Sequence, residues 1–188
     1  MLEALSNLLS AFGLSASAGL NAYLPLLVVA LVARFTELLE LRQPYDLLTS
    51  GWVITALAIL LIIETLADKV PAIDTANDIL QTAVRPTAGA ILFAAQSNAI
   101  GDIHPVLALI LGLIVAGGVH LGKASFRPAV TAVTGGTLNP VVSFAEDILA
   151  LIVTLLSVTI PLMLLIVALL LTIALISMTR PRESVPRL

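Results

Sequence analysis

Apolar residues fill long stretches of this sequence, and charged residues are rare. Hydrophobic residues make up 59% of the 188 positions, charged residues make up 11%, and the mean hydropathy is +1.10. A soluble domain is about a quarter charged, so most of the surface of this chain must face something other than water. The composition therefore predicts one all-α integral membrane domain over residues 1–188.

The apolar runs predict a polytopic transmembrane helical bundle. A bilayer crossing takes about 20 apolar residues, and about six runs are long enough. The last two runs are nearly continuous, and only Pro161 indicates a sharp hairpin between them. The alternative is five spans, with the third run as a re-entrant half-helix. The predicted spans are 14–34, 50–67, 86–100, 105–121, 140–159 and 160–178.

Loop charges predict the orientation of the bundle. Short cytoplasmic loops are enriched in Lys and Arg, and the six-span arrangement places most of these residues on one side. Both termini are therefore expected in the cytoplasm, with 180–188 as a tail, in a multi-pass protein of the cell inner (plasma) membrane. The lipid bilayer is the expected partner, and thin spans are compatible with a homodimer. The formal charge of −3 argues against nucleic acid as a partner.

Ionisable residues lie in or beside the apolar runs. A charge at membrane depth is costly unless it has a partner or water, and it usually marks a pathway or a site. We expect these residues, with two asparagines at helix breaks, to line a polar cavity that faces the cytoplasm. They are Asn21, Glu64, Asp68, Lys69, Asp74, Asp78, Arg85, His120, Lys123, Arg127, Asn139, Glu146 and Asp147.

Segment 70–85 predicts an amphipathic helix on the cytoplasmic side. Asp74, Asp78, Gln81 and Arg85 recur at helical spacing and form one polar stripe. Pro86 is expected to end the helix. The stripe either lines the cavity or lies in water at the membrane surface. No cofactor is assigned, but carboxylates are the ligands that hard cations prefer. The candidate metal ligands are Glu64, Asp68, Asp74 and Asp78.

Two breaks in the apolar runs are similar. A Gly-Leu-Asn string at 19–21 interrupts the first span, and a Leu-Asn-Pro string at 138–140 follows two glycines before the fifth. Unwound backbone at membrane depth coordinates ions or substrates in transporters, whereas a helix cap is the simpler explanation. Together with Arg-Pro at 85–86 and at 127–128, the breaks are compatible with an internal repeat.

Three functions compete. Buried charges and broken helices favour a transporter or channel for a small solute or ion, coupled to protons or another cation. The alternatives are a Mg²⁺-dependent intramembrane transferase that acts on a lipid or prenyl phosphate, and a scaffold or subunit that transports nothing. The G-x-S-x-G, H-E-x-x-H and P-loop motifs are absent, and cysteine is absent too, so an enzyme is the less favoured reading.

Two strings carry a family resemblance. Ser17-Ala-Gly-Leu-Asn-Ala-Tyr-Leu-Pro25 and Glu64-x-x-x-Asp-Lys-x-Pro-x-x-Asp74, followed by Arg85-Pro-x-x-Gly89, resemble a bacterial integral-membrane family known as domain of unknown function 4126. The resemblance covers nearly the whole chain. It implies a small polytopic inner-membrane protein with no established activity.

A second resemblance concerns one segment. Asp74-x-x-x-Asp78, followed by Arg85-Pro-x-x-Gly89, is similar to the first aspartate-rich motif of the intramembrane aromatic prenyltransferases. The resemblance implies carboxylates that hold Mg²⁺ against a prenyl diphosphate and an arginine that meets phosphate. No second such motif exists here, so 146–147 would have to replace it.

Overall fold

The computed structural model describes residues 2–67, 71–97 and 103–179, apart from the side chains of 2–3, 71–76, 78, 97, 161–169 and 171–179. All regular structure in these ranges is helical, which confirms the all-α prediction. A short 3-10 helix, Tyr45–Thr49, lies between the second and third α-helices. The α-helices are α1 (Leu2–Leu20), α2 (Tyr23–Phe35), α3 (Gly51–Ala67), α4 (Pro71–Ser97), α5 (Pro105–Thr134) and α6 (Asn139–Thr179).

Helix α1 lies at the centre of the bundle and packs against α4, α5 and α6. Phe12 meets Phe93 edge to face, with the ring centroids 5.0 Å apart. One turn along α1, the Ser15 hydroxyl donates to the Gly89 carbonyl at 2.8 Å. Because the α4 number falls as the α1 number rises, the two helices are antiparallel. The same reasoning makes α6 antiparallel and α5 parallel to α1.

Small residues bring the central helices into close contact. A Cβ atom on Gly112 would lie 2.7 Å from the Cα of Ala90, and one on Gly19 would lie 2.5 Å from the Ala116 carbonyl oxygen. Such contacts exclude any side chain at these glycines. The outer face of α5 differs, since a Cβ atom on Gly118 would meet nothing within 4 Å.

The predicted first span is two helices, and the second turns back beside the first. Arg34, at the end of α2, donates to the Thr49 carbonyl at 2.7 Å. Tyr45, which follows α2, packs against a cluster that contains Ala11 from the first half of α1. The chain therefore reverses at Asn21, because that side chain accepts from a backbone N–H of the new helix and lets it start within two residues.

This reversal changes the predicted topology. Helices α1, α3 and α5 run toward one end of the bundle, which we call the charged end because Glu64, Arg85 and Lys123 lie there. The segment between α2 and α3 lies at the opposite end. Helix α1 starts at the opposite end and ends beside Lys123, whereas the predicted topology has the amino terminus on the same side as the charges.

Pro86 and Pro128 both lie inside helices. Pro86 was expected to end a helix, and Pro128 was expected to lie after the span 105–121. Helix α4 runs from Pro71 to Ser97 with Pro86 in its interior, and α5 runs to Thr134 with Pro128 inside it. The prediction that Pro86 ends a helix is wrong. A proline removes one helical hydrogen bond, and in apolar surroundings the backbone has no better partner than the rest of the helix.

The predicted hairpin at Pro161 is also wrong. Helix α6 continues for 41 residues through this position, and the residues on both sides of the proline include no Gly, Asn or Asp to support a turn. The turn between α5 and α6 shows the contrast. There Gly135 and Gly136 adopt φ angles of +61° and +84°, which only glycine adopts readily.

Two of the helices are long and apolar enough to cross a membrane. They are Pro105–Thr134 and, within α6, Asn139–Ile160, each with a mean hydropathy of 2.1. Only 22% and 28% of their most apolar windows are buried inside the protein. The core helix of a soluble protein would be mostly buried, so these two helices present their apolar side chains outward.

Candidate charged site

A fully buried ion pair joins α3 to α4. Glu64 Oε1 and Arg85 Nη2 lie 3.1 Å apart, and the exposed fractions of the two side chains are 1% and 0%. The neighbours of Glu64 on α3, such as Ile63 and Leu66, are exposed. This part of α3 therefore turns its acid inward and most of its apolar residues outward, which is the reverse of the pattern in a soluble protein.

His120 of α5 completes this group in its neutral form. Its Nδ1 lies 3.2 Å from Arg85 Nη1, and its Nε2 lies 3.1 Å from Thr82 Oγ1. A guanidinium only donates hydrogen bonds, so Nδ1 must accept. The ring proton is then on Nε2, which donates to Thr82. His120 thus adds an acceptor to the buried arginine and no charge.

A second cluster lies one turn further along α5. Lys123 Nζ and Arg127 Nη2 approach the same carboxylate oxygen, Glu146 Oε2 of α6, at 2.9 and 3.2 Å. The two cations are four residues apart and so share one face of α5. Lys123 also donates to the Leu20 carbonyl at 3.2 Å, at the end of α1. The cluster therefore holds α5, α6 and the break after α1 together.

The α1 break is itself part of the site. Asn21 Nδ2 donates to Asp147 Oδ1 at 2.9 Å, and Asn21 Oδ1 accepts from the Leu24 N–H at 2.9 Å. One amide therefore fixes the start of α2 and binds a carboxylate of α6. Asn21 is 1% exposed, so both polar atoms of its side chain make their hydrogen bonds inside the protein.

The charges of the two groups balance within the described residues. The positive charges are Arg85, Lys123 and Arg127, and the negative charges are Glu64, Glu146 and Asp147. Arg85 and Lys123 are close enough for their charges to interact, so the two groups are neighbours, and we call them together the charged network. Such balance is required, because an unpaired charge in an apolar interior costs several kcal/mol.

The other predicted site residues fall outside this network or outside the described residues. Asn139 accepts a hydrogen bond from Thr131 at 3.1 Å in the turn between α5 and α6. Asp68 and Lys69 lie outside the described residues, as do the side chains of Asp74 and Asp78, on which a Mg²⁺ site depends. Among the residues that the structure describes, no three His, Asp or Glu side chains come together to hold a metal ion.

Two further residues lie beside the first ion pair. The sequence placed Gln81 on the polar stripe of α4 but not among the site residues, and Tyr23 was not chosen as a site residue. Gln81 is 2% exposed and is hydrogen-bonded to Tyr23, and its Oε1 has no hydrogen-bond partner among the residues that the structure describes. Tyr23 in turn lies near Glu64. The spacing of Gln81 and Arg85, one turn apart on α4, was the available signal. Tyr23 carried no signal, because its position depends on the reversal at Asn21.

The fold and the site together define a class of protein: an all-helical bundle with ionised side chains inside and large apolar side chains outside. The model of the family described as Domain of unknown function (DUF4126) matches residues 8–180. The chain belongs to this family, as its sequence strings predicted. No curated protein and no solved structure shows significant similarity to it.

Proposed function

We propose that this protein is a multi-pass membrane protein that carries a small solute or ion across the bilayer, and that the charged network is its pathway. The observation that carries the proposal is the inverted distribution of polarity. The described interior holds Glu64, Arg85 and His120 at no more than 2% exposure, while Trp52 is 88% exposed and Leu156 is 52% exposed. Lipid is the surroundings in which this distribution is stable.

A membrane location follows from the extent of the apolar surface. Large exposed side chains occur on α1, α3, α5 and α6, so they surround the bundle rather than form one patch. The largest apolar patch of a soluble monomer covers a few hundred Å², and a partner protein would cover one side at most. The Lys and Arg residues at the charged end support a cytoplasmic position for that end.

The free-energy cost of burying these charges supports a transport role. Replacing a buried ion pair by apolar residues of similar size is often neutral or stabilising, so stability alone does not require one. The network also meets a helix break, where Asn21 and the Leu20 carbonyl bind charged side chains. Broken helices with charges at membrane depth are how transporters build their binding sites.

Protonation supplies a coupling step. Binding of a proton to Glu64 would cancel its charge and release Arg85, which keeps its own charge at any relevant pH. The freed guanidinium and the acceptor Gln81 Oε1, which has no partner within the described part of the chain, would then be available to a solute. The network therefore offers two arrangements, one with the carboxylate paired and one with it protonated.

Transport by the purified protein in liposomes tests the proposal. Fluxes of protons, Na⁺, K⁺ and small neutral solutes would be measured for the parent and for Glu64→Gln. We expect flux above that of empty liposomes, and a loss of at least tenfold in the variant with the helical content unchanged. Glu40→Gln is the matched control, since Glu40 is an exposed acid between α2 and α3.

Two results would overturn the proposal. One is extraction of the protein from membranes by alkaline carbonate, which releases proteins that do not span the bilayer. The other is a parent protein that carries none of these solutes, or a Glu64→Gln variant that carries them at the parental rate.

A further inference from the structure

A polar seam runs along the contact between α1 and α6, from the charged end toward the opposite end. Its residues recur at helical spacing on both helices, so each set lies on one stripe. On α1 the positions are Ser6, Ser10, Gly13, Ser17 and Asn21, and on α6 they are Ser143, Asp147, Ala150, Thr154 and Ser157.

Contacts between the two stripes are direct. Next to the Asn21–Asp147 hydrogen bond, the Ser17 hydroxyl lies 2.8 Å from the Ala150 carbonyl oxygen and 2.6 Å from the Thr154 hydroxyl. Further along, Gly13 faces Ser157 so closely that a Cβ atom on the glycine would overlap the serine hydroxyl. The stripes therefore meet at these three positions along antiparallel helices, and Ser10 and Ser6 continue the same face of α1 away from the charged end.

The seam is buried, although other faces of the same helices are apolar and exposed. Ser6, Ser10, Ser17 and Thr154 are at most 3% exposed, whereas Leu5 and Leu9 of α1 are about half exposed, at 51% and 47%. Hydroxyls are thus concentrated between the helices. Close helix packing explains small residues at these positions, but alanine would pack as well.

Ser10 is the position that packing does not explain. Its Oγ is buried and has no hydrogen-bond partner among the described residues, and the side chain is 1% exposed. A buried hydroxyl without a partner is destabilising, whereas alanine would be free of this cost. Internal water is the usual partner of such a group. The seam therefore contains a position suited to a bound water.

We propose that this seam is a proton route that joins the charged network to the opposite end of the bundle, with a water bound at Ser10. The inference rests on the proposed transport function and names the proton as a transported or coupled species. From Asn21 to Ser6 the route covers about 22 Å, at 1.5 Å per residue. Asp147 is the carboxylate at its charged end.

Each transfer conserves atoms and charge. A hydroxyl or water accepts a proton on an oxygen lone pair and passes its own proton to the next oxygen, so the bonds are restored after reorientation. Ser17 and Thr154 are in direct hydroxyl contact. The Asn21 amide that binds Asp147 does not relay protons, so further waters carry the proton between Asp147 and Ser17 and across the other gaps between hydroxyls. The close contacts at Ser17 and Gly13 leave no space for a hydrated metal ion. The geometry therefore selects protons over larger cations.

Proton flux into liposomes tests this route. The liposomes would enclose a pH-sensitive dye, and a K⁺ diffusion potential would drive protons inward. We expect Ser10→Ala to reduce the flux at least tenfold while its melting temperature equals or exceeds that of the parent. Ser10→Thr, which retains a hydroxyl, should recover at least a third of the parental rate.

Ser15→Ala is the matched control. Ser15 is a buried serine on the same helix, but it faces α4 and donates to Gly89, so its flux should stay within twofold of the parent. A parental rate in Ser10→Ala, or an equal loss in both variants, would overturn the proton route. So would a loss of osmotic water flow in Ser10→Ala without any proton flux in the parent.

The outcome also separates this inference from the proposed function. A parent protein that carries another solute but no protons removes the proton route and leaves the transport function standing. A parent protein that carries nothing removes both.

Discussion

The two ion clusters at the charged end differ in how they balance charge. Glu64 and Arg85 form a one-to-one pair that is almost completely buried, with a neutral histidine as a second acceptor for the arginine. In the other cluster two cations share one carboxylate of Glu146, which is 15% exposed. The first pair is therefore almost completely shut off from water, while the second retains access to water.

This difference indicates in which cluster the loss of one partner costs more stability. In a dry interior an unpaired charge destabilises the protein most when its side chain cannot become neutral. Arg85 cannot release its proton at any relevant pH, whereas Glu64 can accept one. Near Glu146, water can solvate a charge that loses its partner, so loss of a partner there costs less stability. The following four predictions test this ranking.

The largest effect is expected for removal of Glu64. We expect Glu64→Leu to destabilise the protein by about 3–5 kcal/mol, because the variant leaves a permanent charge buried without its counterion. Arg85→Met should cost less, because Glu64 can become protonated. The free energy of unfolding in mixed detergent micelles measures both. The double variant should recover most of the lost stability but no transport, and a double variant as unstable as Glu64→Leu would contradict this account.

Loss of Glu146 should have the next largest effect. Glu146→Gln removes the charge that Lys123 and Arg127 share, and we expect a cost of about 1.5–3 kcal/mol, the range for hydrogen bonds to charged groups. Partial hydration keeps it below the cost of Glu64→Leu in the same assay. Equal costs for the two variants would show that the clusters do not differ in their access to water.

His120 should contribute through the acceptor that it offers to Arg85. We expect His120→Leu to cost about 1–2 kcal/mol, because Arg85 loses one hydrogen-bond partner in the interior. His120→Asn places an amide oxygen near the position of Nδ1 and should restore at least half of the loss. If asparagine were as harmful as leucine, the size of the ring rather than its Nδ1 lone pair would be the important property.

The smallest effect is expected at the edge of the first cluster. Thr82 accepts from His120 Nε2, but it lies on an exposed part of α4. Thr82→Val keeps the shape and removes the hydroxyl, so we expect a cost of at most about 1 kcal/mol. Thermal unfolding in detergent would detect this change, and a cost similar to that of Glu64→Leu would mean that the cluster extends further than its buried pair.

The helix breaks show how far sequence reasoning reaches. The Gly-Leu-Asn string correctly predicted a break at Asn21, because asparagine starts helices by accepting from a backbone N–H. The string could not show that the chain reverses there, since the direction of α2 depends on its packing against α3. At Pro86 and Pro161 the local signal was misleading, because an apolar environment favours an uninterrupted helix over a broken one.

The site residues show the same division. Most of the acids, bases and asparagines that were chosen for their position near apolar runs do meet in the interior where the structure describes them. Their partners were not predictable in detail: Glu64 pairs with a residue 21 positions away, and Asn21 pairs with one 126 positions away. The hydroxyls of the polar seam went unnoticed, because serine in a helix also suits simple packing.

Composition and spacing by themselves determined that this chain is helical, that its exterior is apolar, and which ionisable residues must find partners inside. These follow from the solvation cost of each residue and from the helical period. The tertiary structure alone decided which charges pair, where the chain turns back, and which stripe of α1 faces α6. Those outcomes depend on contacts between helices that are far apart in the chain. The helical period determines which residues of one helix share a face, but not which helix that face contacts.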